Sequence, residues 1–147
     1  MYRKILVATD GSTLSKKAVR SAIDLAVAVG AELVAVYVVP RYPVSYFEGG
    51  VTVSTAEIAR TEKQWAEKGQ AVVDAVRDAA EAAGLKARAT IARSDLVAEA
   101  ILANVKKYKC DLVVMASHGR KGLKRILLGS ETQHVLTHST VPVLVLR

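Results

Sequence analysis

The sequence predicts an α/β fold, with an open, doubly wound, five-stranded parallel sheet and helices on both of its faces. Short apolar runs alternate with longer segments whose apolar residues recur at helical spacing, in the order β-α-β-α-β-α-β-α-β. Most of these runs are apolar at consecutive positions, which is typical of parallel strands buried on both faces. Right-handed crossovers between such strands favour a doubly wound sheet. At 147 residues, the chain is expected to form a single domain over residues 1–147.

The first two predicted strands are the apolar runs KILVAT at 4–9 and ELVAVYVV at 32–39. Between them a helix is predicted, because the apolar residues of that segment recur at helical spacing. These residues are Ala18, Ala22, Leu25, Ala26 and Val29. Ser12 or Thr13 can cap the start of the helix, and Gly30 can end it. The start of the chain therefore predicts one β-α-β unit.

A loop from residue 40 to about 54 precedes a long predicted helix over 56–83, which Gly84 would end. The helix is expected to pack through one apolar stripe, formed by Ile58, Trp65, Val72, Val76, Ala79 and Ala83. The aromatic residues of the loop can form a lid over a ligand, pack at a subunit contact or belong to a flexible loop. They are Tyr42, Tyr46 and Phe47.

The second half of the chain continues the alternation. Strands are predicted over 86–92, 111–117 and 141–147. The helices between them are predicted over 96–107 and 129–138. Ser94 or Asp95 is the expected cap of the first of these helices. The last strand contains Pro142, which lacks an N–H group and is therefore expected at an edge of the sheet.

Composition narrows the possible functions only in part. The formal net charge of +7 permits an anionic partner, such as a nucleotide, nucleic acid or a membrane surface, but it is equally consistent with a solvated basic surface. Cys110 is the sole cysteine, which excludes an internal disulfide and a cysteine-based metal cage. No secretory signal pattern and no apolar segment of membrane-spanning length is present. We therefore expect a cytoplasmic protein with no membrane partner.

The segment MASHGRKGLKRILLGSE, at 115–131, is the strongest candidate for a ligand site. The first and fourth strands are the expected switch point of the sheet, where such folds bind ligands at the carboxyl ends of their strands. Gly119 can adopt a positive φ and let a ligand approach, and the helix start at Gly129-Ser130 offers free N–H groups to an anion. The cations between them are Arg120, Lys121, Lys124 and Arg125. The alternative is a surface loop followed by a capped helix.

Neither a Walker A loop nor a G-x-G-x-x-G fingerprint is present. From end to end, however, the chain resembles the universal stress protein family, through KILVATDGS, DLVVMASHGR and LLGSETQHVLTHSTVPVLVLR. The ATP-binding branch of that family has the pattern G-x2-G-x9-G-[ST]. Here the pattern reads Ala116-x2-Gly119-x9-Gly129-Ser130, with alanine at the first glycine. The resemblance implies a Rossmann-like fold and an adenine nucleotide, ATP, ADP or AMP, with or without Mg²⁺.

The resemblance also implies roles for individual residues. Asp10 would contact the ribose or a metal-bound phosphate, although it can instead be a plain helix-entry residue. The adenine would lie against Ala8, Thr9, the backbone of Val38 and the side chain of Met115. The phosphates would bind Gly119, Gly129, Ser130 and the N–H of Glu131. His118 is expected at the mouth of the pocket, with Arg120 beside it.

Two features of the site are expected to make nucleotide affinity modest or to favour AMP and ADP over ATP. The methyl group of Ala116 would crowd the ribose or the first phosphate. Glu131 lies in the first turn of the last helix, where it complements the helix dipole but places a negative charge near a terminal phosphate.

The predicted function is a stress-response sensor or adaptor that forms a homodimer through its C-terminal strand. The alternative is an interaction or chaperone-like dimeric module without nucleotide. Nucleic acid is not the expected partner, because no known binding motif is present. No catalytic residue is predicted, and the expected activity is at most slow ATP hydrolysis or self-phosphorylation at Ser130. Ser117 and His118 are neighbours in the chain and are not expected to point at each other, so they are not expected to form a nucleophile–base pair. His134 and His138 are one helical turn apart but are expected on a solvated face, not at a metal.

Overall fold

The structure of the chain, a computed structural model, describes residues 1–43, 54–119 and 128–147. It contains the nine elements that the sequence predicts, in the predicted order. In chain order these are β1 (Lys4–Ala8), α1 (Thr13–Val29), β2 (Glu32–Val39), α2 (Thr55–Ala82), β3 (Ala87–Arg93), α3 (Val97–Tyr108), β4 (Leu112–Ala116), α4 (Ser130–His138) and β5 (Val143–Leu146). Across the described ranges, no helix has both the length and the apolar character needed to cross a bilayer.

The five strands form one parallel sheet in the order β3-β2-β1-β4-β5, which confirms the predicted doubly wound fold. β1 is central and pairs with β2 on one side and with β4 on the other. The chain winds outward in opposite directions from these central strands, so the switch point lies between β1 and β4. β5 is at an edge of the sheet, as Pro142 indicates.

Both faces of the sheet are covered, because alternate residues of the central strands point to opposite sides. Ile5 and Val7 of β1 pack with α1 and α2 on one face. Leu6, the residue between them, packs with α3 and with Val135 of α4 on the other face. These buried apolar strands position the loops at the carboxyl end of the sheet, where the candidate site lies.

The buried face of α2 differs from the predicted stripe. Of that stripe only Val76 is buried, and Ala79 and Ala83 are exposed. The face that packs on the sheet consists mainly of small residues: Ala66, Gly69, Val73, Val76 and Ala80. A β-carbon on Gly69 would lie 2.6 Å from Cδ1 of Tyr37, so the helix lies directly against that ring. Small side chains allow this close approach, whereas the prediction followed the larger apolar residues.

The helix caps confirm one prediction and correct another. Ser12 caps α1 by accepting a hydrogen bond from the Ser15 N–H. Neither Ser94 nor Asp95 caps α3: the carboxylate of Asp95 accepts from the Arg41 N–H at 2.9 Å instead. The first turn of α3 receives its acceptor from another helix, as the Ala98 N–H donates to Glu131 at 3.1 Å. Tertiary packing thus replaces the local cap.

Candidate functional site

The carboxyl ends of β1 and β4 meet at the switch point, as expected. Asp10 follows β1 and Gly119 follows β4, and a β-carbon on Gly119 would lie 2.6 Å from Oδ2 of Asp10. Gly119 does not have a positive φ; the described glycines that do are Gly11, Gly30 and Gly84. The expected positive φ at 119 is therefore wrong, and the close approach of the Asp10 carboxylate is what a side chain at this position would disturb.

A network of short hydrogen bonds holds the turn after β1 in place. The Ser12 N–H donates to Oδ1 of Asp10 at 2.9 Å, and the Gly11 N–H donates to the Thr9 hydroxyl at 3.2 Å. Thr9 is buried, and its hydroxyl lies 3.0 Å from that of Ser15. Asp10 therefore shapes the entry to α1, and the turn presents its carboxylate at Gly119.

The backbone of Val38 faces the space beyond the end of β1. The Thr9 N–H donates to Val36 O at 3.0 Å, which is the last contact from β1 to β2 in the described chain. Residues two apart along a strand direct their backbone groups to the same side. The N–H and C=O of Val38 therefore face the side of β2 where β1 has already ended, as adenine recognition by this backbone requires.

The start of α4 is tied to the end of β4. The Gly129 N–H donates to Ser117 O at 2.6 Å, and a β-carbon on Gly129 would lie 3.3 Å from the same oxygen. The Gly129 amide is therefore engaged with the protein itself. Ser130 and Glu131 follow it, and their N–H groups precede the first intrahelical bond, from Gln133 N–H to Gly129 O. Such N–H groups at a helix start are those that bind anions.

Thr132 is a structural part of the site that the sequence analysis missed. It is buried, with 2% of its surface exposed, and its hydroxyl donates to Ala116 O at 3.0 Å. The side chain thus joins the first turn of α4 to the last residue of β4. The sequence gives little indication of this role, because a threonine in the first turn of a helix more often exposes its hydroxyl to solvent. Only the tertiary contact with Ala116 O shows that this hydroxyl is buried.

The remaining predicted residues differ in their burial and in their contacts. Ala8 ends β1, opposite Val36 of β2. Met115 and Ala116 are both buried in β4, and Met115 belongs to the core beneath α3 and α4. The Glu131 carboxylate is engaged with the N-terminus of α3. One of its oxygen atoms is thus directed to α3, and its effect on a terminal phosphate stays a prediction.

Ser117 and His118 do point at each other, contrary to the sequence-based expectation. The Ser117 hydroxyl lies 3.2 Å from Nδ1 of His118. Ser117 is only 3% exposed, so its oxygen is closed to a substrate. The pair therefore orders the end of β4 and does not resemble an accessible nucleophile with its base.

Several predicted contributors lie outside the described residues. These are the cations Arg120, Lys121, Lys124 and Arg125 and the loop aromatics Tyr46 and Phe47. The third loop aromatic, Tyr42, stacks on Trp65 with a centroid distance of 6.0 Å. Trp65 is partly exposed and does not belong to the buried face of α2.

The two histidines of α4 stack on each other. The ring centroids of His134 and His138 are 4.3 Å apart, and Nδ1 of His138 lies 3.0 Å from His134 O. That bond occupies one ring nitrogen with the helix backbone. Within the described ranges, no three His, Cys, Asp or Glu side chains are grouped closely enough to hold a metal ion.

Comparison with known proteins gives a consistent result. The family model described as the universal stress protein family matches residues 1–147. Universal stress protein MJ0531 of Methanocaldococcus jannaschii is 36% identical over 147 residues, which cover 100% of this chain and 83% of that protein. Universal stress protein UspA from Lactobacillus plantarum has the same fold, with a TM-score of 0.85, 22% identity, and coverage of 99% of this chain and 98% of that one. A universal stress protein solved in complex with cAMP has a TM-score of 0.71 and 25% identity, over 99% and 97% of the two chains.

Proposed function

We propose, because this chain belongs to the universal stress protein family, that it binds an adenine nucleotide between the carboxyl ends of β1 and β4 and acts as a stress-response sensor or adaptor. The contact between Asp10 and Gly119 carries this proposal. It joins the two loops of the switch point at the place where doubly wound sheets bind nucleotides. The similar universal stress protein that was solved with cAMP supports this choice of ligand.

The described residues fit such a ligand from the base to the phosphates. The backbone of Val38 offers a donor and an acceptor to the adenine edge. Asp10 is positioned for a ribose hydroxyl or a metal-bound phosphate. Ser130 and Glu131 supply N–H groups at the positive end of the α4 dipole, which favours phosphate oxygens. The Gly129 amide is excluded from this set, because it already donates to Ser117.

Mg²⁺ is part of the proposal when the ligand is a triphosphate. Mg²⁺ is commonly bound between one carboxylate of the protein and the phosphate oxygens of a nucleotide. Asp10 is the described carboxylate that adjoins the glycine of this cleft. It would hold the ion through its oxygen atoms, and the ion would neutralise phosphate charge.

Identification of a co-purified ligand tests the proposal directly. The purified protein is denatured, and any released nucleotide is identified by mass spectrometry. Calorimetry with AMP, ADP and ATP, with and without Mg²⁺, then gives the preference. The absence of a released nucleotide, together with no heat of binding for all three ligands, would contradict nucleotide binding.

Substitution of Asp10 locates the site. Asp10→Asn keeps an oxygen that can accept the Ser12 N–H, so the turn should survive. The loss of the charge should weaken ATP–Mg²⁺ binding about tenfold, the size of one charge-assisted contact. Asp24→Asn removes an exposed carboxylate of α1 and is the matched control. Equal affinity of both variants would exclude Asp10 from the site.

The second candidate is a nucleotide-free, dimeric interaction or chaperone-like module. The bond from the Gly129 amide to Ser117 favours it, because that bond takes one predicted phosphate donor. Ala116 favours it as well, since the family pattern has a glycine there. We propose the homodimer for both functions, with β5 as the contact strand. Action in the cytoplasm stays a prediction from the sequence.

A further inference from the structure

A concave site lies at the opposite end of the sheet from the proposed nucleotide site. The amino ends of β1, β2 and β3 open there on a hollow of about 550 Å³, within the range of small-molecule sites. Its charged lining is one carboxylate, from Glu32, and six cations: Lys4, Arg77, Lys86, Arg88, Lys107 and Lys109. We call this hollow the basic pocket.

Three of the six cations form ion pairs with acidic neighbours. Glu32 lies between Lys4 and Lys86, at 3.4 Å and 3.6 Å. Arg77 pairs with two carboxylates of its own helix, each at 3.3 Å. The other three cations, Arg88, Lys107 and Lys109, form no ion pair with a carboxylate of any described residue. These three side chains are therefore the cations of the pocket without an acidic partner among the described residues.

Tyr108 holds two of these cations close together. Its ring centroid lies 5.2 Å from Cζ of Arg88 and 5.3 Å from Nζ of Lys107. Its pKa is lowered by a hydrogen bond with Thr90 and then by the charges of Lys107 and Arg88, against a raising effect of burial.

Cations at this end of a doubly wound sheet can simply complement helix C-termini. That explanation covers Lys107 and Lys109, which are in the last turn and at the C-cap position of α3, but not the other four cations. Lys4, Lys86 and Arg88 lie on or beside strands. Lys109 has φ 56°, the left-handed conformation of a helix C-cap, which carries a conformational cost for a residue other than glycine.

We propose that the basic pocket binds a small, multiply charged phosphate compound. Arginine and lysine side chains around one hollow suit phosphate oxygens, and the approach of an anion removes the repulsion among the three unpaired cations. The limited volume of the hollow, about 550 Å³, suits a short phosphate chain, whereas a long polyanion requires an extended basic strip. The site is separate from the nucleotide cleft and independent of the proposed function.

Nuclear magnetic resonance titration with inorganic tripolyphosphate tests the proposal at low salt. We expect saturable shifts of the backbone amides of residues 86–89 and 107–109. A triple variant, Arg88→Gln, Lys107→Gln and Lys109→Gln, should bind at least about tenfold more weakly. The control variant, Lys16→Gln, Arg60→Gln and Lys68→Gln, removes the same charge from exposed positions outside the pocket. It should keep wild-type affinity.

Two results would overturn the basic pocket as a site. Shifts confined to residues 117–119 and 129–131 would place the anion in the nucleotide cleft instead. Equal weakening in both triple variants would show attraction to the net charge alone. A parallel titration with ATP identifies the source of the phosphates: shifts at 86–89 with both ligands support recognition of any phosphate chain, and shifts with tripolyphosphate alone support a free polyphosphate.

Discussion

Gly119 lies so close to Asp10 that a β-carbon on the glycine would be 2.6 Å from a carboxylate oxygen. Real β-carbons do not approach an oxygen so closely, so a side chain at 119 displaces either the carboxylate or the loop. The two residues come from loops that follow β1 and β4, which are far apart in sequence and adjacent in the sheet. Their contact makes the geometry of the cleft sensitive to a single methyl group.

Substitution of Gly119 by alanine should therefore weaken nucleotide binding about tenfold, the effect of moving one charged contact. Gly119 has no positive φ, so the alanine adds no backbone strain and the melting temperature should change little. Calorimetry and thermal denaturation measure the two effects separately. Unchanged affinity for ATP–Mg²⁺ would show that the Asp10 carboxylate does not contact the ligand.

Restoring the family pattern with Ala116→Gly should have the opposite effect on affinity. The loss of the methyl group removes the predicted crowding, and we expect nucleotide affinity to rise by a few-fold. Ala116 is buried in β4, so the substitution should also cost about 1 kcal/mol of folding free energy. Calorimetry and urea denaturation would show the two changes. Equal affinity of both proteins would mean that the methyl group does not face the ligand.

Thr132→Val should destabilise the protein by about 1–2 kcal/mol, because it leaves Ala116 O without its buried donor. Thr137→Val is a matched control on the same helix. Its hydroxyl also donates to a carbonyl, Gln133 O, but at an exposed position, so water can replace it. Urea denaturation curves of the two variants provide the comparison. A similar loss of unfolding free energy in both variants would mean that a change in helix propensity, and not the buried hydrogen bond of Thr132, causes the effect.

Cys110 should react slowly with thiol reagents until the protein unfolds. Burial, the largest effect, raises the pKa of its thiol from 9.0 to about 11. Since the unfolded thiol ionises first as the pH rises, this group makes stability fall between pH 9.0 and about 11. Labelling at pH 8 in buffer and in urea measures the protection, and Cys110→Ala should flatten that part of the pH dependence. Equally fast labelling of native and unfolded protein would contradict a buried thiol.

The proposed dimer predicts a specific effect of a charge on β5. Leu136 and Leu144 are each 40% exposed, on the helix and the strand at this edge of the sheet. Leu144→Asp should therefore give a monomer in light-scattering chromatography. Leu96→Asp is the control, because Leu96 is 58% exposed but precedes α3, away from β5. A dimer that survives Leu144→Asp would exclude this strand as the contact.

The alternation of apolar runs with helical segments predicted the fold, the edge position of β5 and the switch point between β1 and β4. These features follow from local signals: buried parallel strands are continuously apolar, helices show their period, and Ser12 and Gly30 mark the ends of α1. The meeting of Asp10 and Gly119 also follows from the sequence, once the order of the strands is known.

Only the tertiary structure decided which groups remain available for a ligand. The sequence could not show that Gly129 donates to Ser117, that Glu131 caps α3 or that α2 packs through Gly69. It also did not reveal the basic pocket, whose six cations come from strands and helices distant in the sequence. Propensity and periodicity act within a few residues, whereas these contacts depend on how closely each helix approaches the sheet, which the volumes of facing side chains determine.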